Sequence, residues 1–127
     1  MGVRRGDFVS KAISSTSETD VGDITVPKGV RKIVGIWTNF VMTPTASKSQ
    51  FGTVRLTGDG LAEETKALKF PLNAAVAYAS SLANDQTPTP TYIIPVDIPV
   101  TPNYTITPKV TMNDATSTTV WVGLLFE

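Results

Sequence analysis

Gly29-Val30-Arg31-Lys32-Ile33-Val34-Gly35-Ile36-Trp37-Thr38-Asn39-Phe40-Val41-Met42 carries the strongest structural signal in this chain. Taken every second residue from Val34, it gives Val34, Ile36, Thr38, Phe40 and Met42, a nearly continuous apolar face. The intervening residues Ile33, Gly35, Trp37, Asn39 and Val41 form a mixed one. A period of two carried by β-branched and aromatic residues marks a strand with one face in a core. Pro27-Lys28-Gly29 ahead of it reads as a turn, because Pro presets φ and Gly accepts a positive φ. Asp23-Ile24-Thr25-Val26 before the turn reads as a short strand, so the chain folds back here in a hairpin or a sharp corner.

Working outward, the same period recurs. Phe8 to Ile13 reads as a first strand, with residues 1–22 forming either that strand or an N-terminal arm, and residues 23–127 forming the domain proper. Phe51 to Thr57 is a strand stopped by Gly58-Asp59-Gly60, and Lys66 to Phe70 is a short strand closed by Pro71. Leu61 to Thr65 has room for one helical turn. Asn73 could cap a short helix from Ala74 to Ala83, the one Ala-rich segment, or the segment could be a loop over a sheet edge. Between Thr91 and Val100, Tyr92, Ile94, Val96, Ile98 and Val100 share a face, while Pro95 and Pro99 confine the segment to an edge or a bulged crossing. Ile106, Pro108, Val110 and Met112 alternate with Thr105, Thr107, Lys109 and Thr111, and Thr118 to Phe126 forms the last strand with Val120, Val122, Leu124 and Phe126 inward. The reading is all-β: an antiparallel sandwich or barrel of seven to eight strands, with its core on Val34, Ile36, Phe40, Ile106, Val110, Val122 and Leu124.

Composition removes whole classes of chemistry. The 127 residues contain no Cys and no His, so Cys–His and Ser–His–Asp nucleophilic sites are excluded, as is zinc held by imidazole or thiolate. Lys and Arg number 11 and so do Asp and Glu, which gives none of the basic excess typical of a nucleic-acid-binding domain. Arg4, Arg5 and Lys11 form only a loose basic cluster near the start. The opening residues lack the apolar stretch of a secretory signal, and no apolar run reaches the length of a membrane span. The carboxylates Asp20, Asp23, Asp59, Glu63, Glu64, Asp97 and Asp114 fall mostly in turns, without the spacing of a calcium loop. The expectation is a protein without catalytic residues, cofactor or metal.

Trp37 and Trp121 stand opposite the expected core face, each two residues from a glycine on that same face, Gly35 and Gly123. Aromatic rings lying over strand glycines are a packing device of sheets. An aromatic patch can instead meet a partner subunit or stack on a sugar. Trp37, Trp121, Arg4, Arg5 and Phe8 are therefore the interface candidates.

Val26-Pro27-Lys28-Gly29-Val30 with Ile33-Val34-Gly35-Ile36, then Ile98-Pro99-Val100-Thr101-Pro102-Asn103, and finally Val120-Trp121-Val122-Gly123-Leu124-Leu125-Phe126 carry a family resemblance. From about residue 23 onward the chain resembles small single jelly-roll capsid or capsid-decorating (cement) proteins of prokaryotic viruses. The resemblance implies a non-enzymatic structural subunit located in the virion, which assembles with copies of itself and with other virion proteins. A jelly roll would set Thr118–Phe126 directly beside the strand around Trp37. The alternative from the residues alone is a carbohydrate-binding β-sandwich module with Trp37 or Trp121 as a stacking platform.

Overall fold

A computed structural model describes residues 5–41, 50–78, 86–88 and 91–127. In chain order the elements are β1 (Arg5–Ile13), β2 (Thr19–Asp20), β3 (Ile24–Thr25), β4 (Lys32–Val41), β5 (Gly52–Thr57), α1 (Glu63–Lys66), β6 (Phe70–Pro71), β7 (Ala74–Tyr78), β8 (Gln86–Pro88), β9 (Ile93–Pro99), β10 (Thr105–Met112) and β11 (Thr118–Phe126). They form two mainly antiparallel sheets packed face to face. In the first, β1, β11 and β4 lie side by side; beyond β4, β9 pairs with its first half, and β7, followed by β8, pairs with its end. In the second, β10 is flanked on one side by β2 and β3 and on the other by β5, which pairs in turn with β6.

β4 and β11 are direct neighbours, from Val120 opposite Phe40 to Phe126 opposite Ile33. The alternation along β4 is not the simple one that the sequence suggests. Ile33, Ile36, Thr38 and Phe40 point inward, and Val34 is only half-buried. The cause is a register shift: Gly35 faces Leu125 and Ile33 faces Phe126, so Val34 is an extra residue on β4 with no counterpart on β11. An extra residue inverts the side-chain alternation beyond it, and Ile33 takes the core place expected for Val34. The other six expected core residues, Ile36, Phe40, Ile106, Val110, Val122 and Leu124, are all buried.

The interior holds two adjoining clusters. One gathers Ile24, Val26, Val30, Ile33, Ile36, Leu56, Leu61, Ile98, Ile106, Leu124 and Phe126; the other gathers Ile13, Val21, Phe40, Val54, Leu72, Val110, Met112, Val120 and Val122. Val9 and Phe70 pack against both and join them. Full burial of each such aliphatic or aromatic side chain contributes about 1.5–3 kcal/mol.

Turns and breaks fall where the chemistry requires them. Gly29 closes the turn after Pro27 at φ +82°, a conformation that side chains with a Cβ rarely adopt. Pro108 lies in the middle of β10, buried, yet has no N–H to give a neighbour. Its carbonyl accepts the Val21 N–H at 2.9 Å, and the strand alongside is interrupted there between β2 and β3. The missing donor thus coincides with the gap in the neighbouring strand.

Two local expectations are corrected. Ala74–Tyr78 is strand β7, not the start of a helix, because it docks parallel to the end of β4; residues 79–83 of that expected helix lie outside the described residues. The helical turn is at Glu63–Lys66, and the strand expected over 66–70 shortens to Phe70–Pro71. Residues 5–13 form a strand in the sheet of their own chain, paired with β11 along all nine positions. Ile98 of β9 is buried while Ile93, Pro95, Asp97 and Pro99 are exposed, and among the described residues β9 has a strand neighbour on one side only.

Candidate functional site

The two outer faces of the sandwich differ in kind. Across the second sheet, Asp20, Lys109 and Arg55 stand in one row on β2, β10 and β5. Lys109 Nζ lies 2.8 Å from Asp20, and Glu18 reaches over to Arg55 with both carboxylate oxygens, at 2.6 Å to Nε and 2.7 Å to an Nη. The hydrogen bond from Arg55 holds the Glu18 carboxyl below its usual range, and that from Lys109 does the same for Asp20. Thr53, Thr57, Thr107 and Thr111 fill the same face, with the Thr107 hydroxyl donating to Asp23 at 2.7 Å. This is a surface suited to water.

The outer face of the first sheet is apolar. Phe8, Gly123, Trp37 and Ile93 stand opposite one another in one row across β1, β11, β4 and β9. Ser10, Trp121 and Asn39 form the next row, and Gly6, Leu125, Gly35 and Pro95 the row on the other side. Large and small residues alternate, so rings and branched chains lie over glycines. A Cβ placed on Gly123 would sit 2.0 Å from Trp37 Cε2, and one on Gly35 would sit 2.7 Å from Ile93 Cγ2. The rings of Phe8 and Trp37 meet with centroids 5.9 Å apart, tilted by 42°. Phe8 and Ile93 remain 56% and 54% exposed, so the strip is open to solvent.

A groove of about 350 Å³ runs along it, lined by Phe8, Trp37, Asn39, Val41 and Trp121. Its polar content is small and already engaged. Asn39 Nδ2 donates to Thr91 at 2.7 Å, and Asn39 Oδ1 accepts from Asn73 Nδ2 at 2.9 Å. Beneath, the buried Thr38 hydroxyl donates to the Pro71 carbonyl at 2.9 Å and accepts the Asn73 N–H at 3.0 Å, which ties the crossing from β6 to β7 onto β4.

Of the interface candidates, Phe8, Trp37 and Trp121 are brought together on this groove. Arg5 is exposed at the start of β1 opposite Phe126, and Arg4 lies outside the described residues. Ile93 and Leu125 belong to the same surface but are not among the interface candidates; the signal for them is the strand alternation, which places both on the outer face. Gly123 is covered by Trp37, whereas Gly35 is covered by Ile93 and Leu125, not by Trp121. The turn carboxylates are scattered: Asp97 lies 4.0 Å from Lys32, Glu63 pairs with Lys66, and Asp114 accepts from Thr116. Among the described residues no three acidic side chains come together as metal ligands, and no helix is long and apolar enough to cross a membrane. Comparison with protein families, with curated proteins and with solved structures gives no match.

Proposed function

We propose that this chain is a non-enzymatic structural subunit of a virion, a capsid or capsid-decorating protein, that self-assembles through the outer face of its first sheet and its N-terminal segment. The observation that carries the proposal is the contrast between the two outer faces. One bears ion pairs and threonines; the other presents Phe8, Trp37, Trp121, Ile93 and Leu125 in a contiguous strip. Large, rigid aromatic side chains on an open apolar patch are what dominates association energy once covered.

The strand order supports the finer reading of a single jelly roll. Counting β2 and β3 as one interrupted strand and omitting β7 and β8, eight strands remain. The first pairs with the eighth (β1 with β11), the second with the seventh (β2 and β3 with β10), the third with the sixth (β4 with β9) and the fourth with the fifth (β5 with β6). Those four pairs are the rungs of one long antiparallel ribbon. Pairing of β11 with β4 and of β10 with β5 coils the ribbon into two sheets. This order favours the double Greek key of jelly rolls, an architecture used in viral capsids, lectins and cupins.

A second reading, a carbohydrate-binding module, has the groove beside Trp37 and Trp121 in its favour. A sugar platform also needs polar groups to read hydroxyls, and Asn39, the amide in the groove, is engaged on both its oxygen and its nitrogen. Light scattering of the purified chain over a range of concentrations separates the readings. A structural subunit associates, and Trp121→Glu weakens that association; a sugar module stays monomeric and shows glycan-dependent quenching of tryptophan fluorescence.

A further inference from the structure

β1 is a nine-residue strand at the margin of the first sheet, and among the described residues no strand lies on its other side. It contains no proline, and its register with β11 is unbroken from Arg5 to Ile13. Proteins blunt open edges with short strands, prolines, bulges or charges; β1 is long, unbroken and free of proline, and of these devices it carries only the charges of Arg5, Asp7 and Lys11. Its open margin is a template for another strand.

Which residues face that margin follows from one hydrogen bond. The Phe8 N–H donates to Asp7 Oδ1 at 2.8 Å, within its own strand. In an antiparallel ladder the N–H and C=O of a residue point to the same side, and successive residues alternate. Gly6, Phe8, Ser10 and Ala12 therefore turn their ladder groups outward, while Arg5, Asp7, Val9, Lys11 and Ile13 bond to β11. Any antiparallel partner across the margin must pair with this even-numbered set.

We infer that a second copy of this chain occupies the margin, β1 pairing antiparallel with β1 about a two-fold axis at Val9. The inference deepens the proposed self-assembly and rests on it. Closed symmetric dimers use the same patch on both partners, and within the middle of β1 only three two-fold centres keep even residues paired with even. A centre at Phe8 sets Arg5 against Lys11 of the second copy, two cations face to face. A centre at Ser10 sets Asp7 against Ile13 and Lys11 against Val9, with no opposite charge across the axis for either. A centre at Val9 sets Asp7 against Lys11 of the second copy, twice by symmetry, with Gly6 against Ala12, Phe8 against Ser10 and Arg5 against Ile13. It alone matches opposite charges, and these pairs fall on non-hydrogen-bonded positions, where cross-strand side chains come closest.

The same register extends the aromatic surface. The row Trp37, Gly123, Phe8 continues into Ser10, Trp121 and Asn39 of the second copy, and the reverse row completes it. The two first sheets become one, with a single apolar strip across the axis. β1–β1 pairing thus supplies the lateral contact and leaves the strip for further partners.

The test uses the full chain, with light scattering for association and circular dichroism for melting. Ser10→Pro removes only an N–H that points away from β11, so melting of the dissociated subunit should stay unchanged while dimerisation falls at least about tenfold. Asp7→Lys should weaken dimerisation about tenfold by setting like charges opposite each other at both symmetric positions, and Asp7→Lys combined with Lys11→Asp should restore it. If the chain associates but neither Ser10→Pro nor Asp7→Lys weakens it, or the double variant fails to recover, the edge pairing is overturned while the assembly reading stands. If the unaltered chain stays monomeric at all concentrations, both fall.

Discussion

Trp37 covers Gly123 on the neighbouring strand, so closely that a single methyl group on Gly123 would come within 2.0 Å of its ring. The glycine is there for the ring, and it fixes where the largest side chain of the exposed strip sits. Gly123→Ala should therefore displace the indole and cost about 1–3 kcal/mol by overpacking. Chemical denaturation measures the loss, and a shift of tryptophan emission reports the moved ring.

The bulge at Val34 separates two neighbouring aliphatic residues that look equivalent in the sequence. Ile33 is completely buried and Val34 only half so. Ile33→Ala is expected to cost about 2–4 kcal/mol and Val34→Ala less than about 1. Equal effects in equilibrium unfolding would show that the register shift is absent. Ile36→Ala and Val122→Ala, both at fully buried positions, should each match Ile33→Ala.

Thr38 is a buried polar residue whose hydroxyl is used twice, toward the Pro71 carbonyl and the Asn73 N–H. Thr38→Val keeps the shape and strands both backbone groups. The expected loss is about 1–3 kcal/mol, the penalty for unsatisfied buried groups. Hydrogen exchange at Asn73 should rise with it, since its N–H loses its acceptor.

Acid should act first on the second sheet. The Glu18 and Asp20 carboxyls, whose ordinary values lie near 4.5 and 3.8, are lowered by their hydrogen bonds to Arg55 and Lys109. A carboxylate that ionises more readily in the folded state contributes stability above its unfolded value, lost as pH falls through the folded one. Melting temperature is expected to be flat from neutrality to about pH 5 and to decline below about pH 4. Glu18→Gln should flatten part of that decline, as a melting series in matched ionic strength would show.

Much of this protein is written locally. Strands β4, β9, β10 and β11 follow from the period of two, because a strand half-buried in a sandwich needs one apolar face and the residues alternate by geometry. Gly29 and the prolines mark their turns for reasons of φ and missing donors that hold in any context. The absence of Cys and His excludes thiol- and imidazole-based sites. Tertiary structure alone decided the rest. The bulge that exchanges Val34 for Ile33 arises from pairing with β11, and Ala74–Tyr78 becomes strand because β4 offers an edge, overriding alanine's helical preference. Phe8, Trp37 and Ile93, and the pair Trp121 and Leu125, come from four separate strands, and each alone reads as an outward residue on its strand. They become one surface because the order β1, β11, β4, β9 and the register between those strands align them, and long-range pairing is not encoded by the spacing of residues within any one strand.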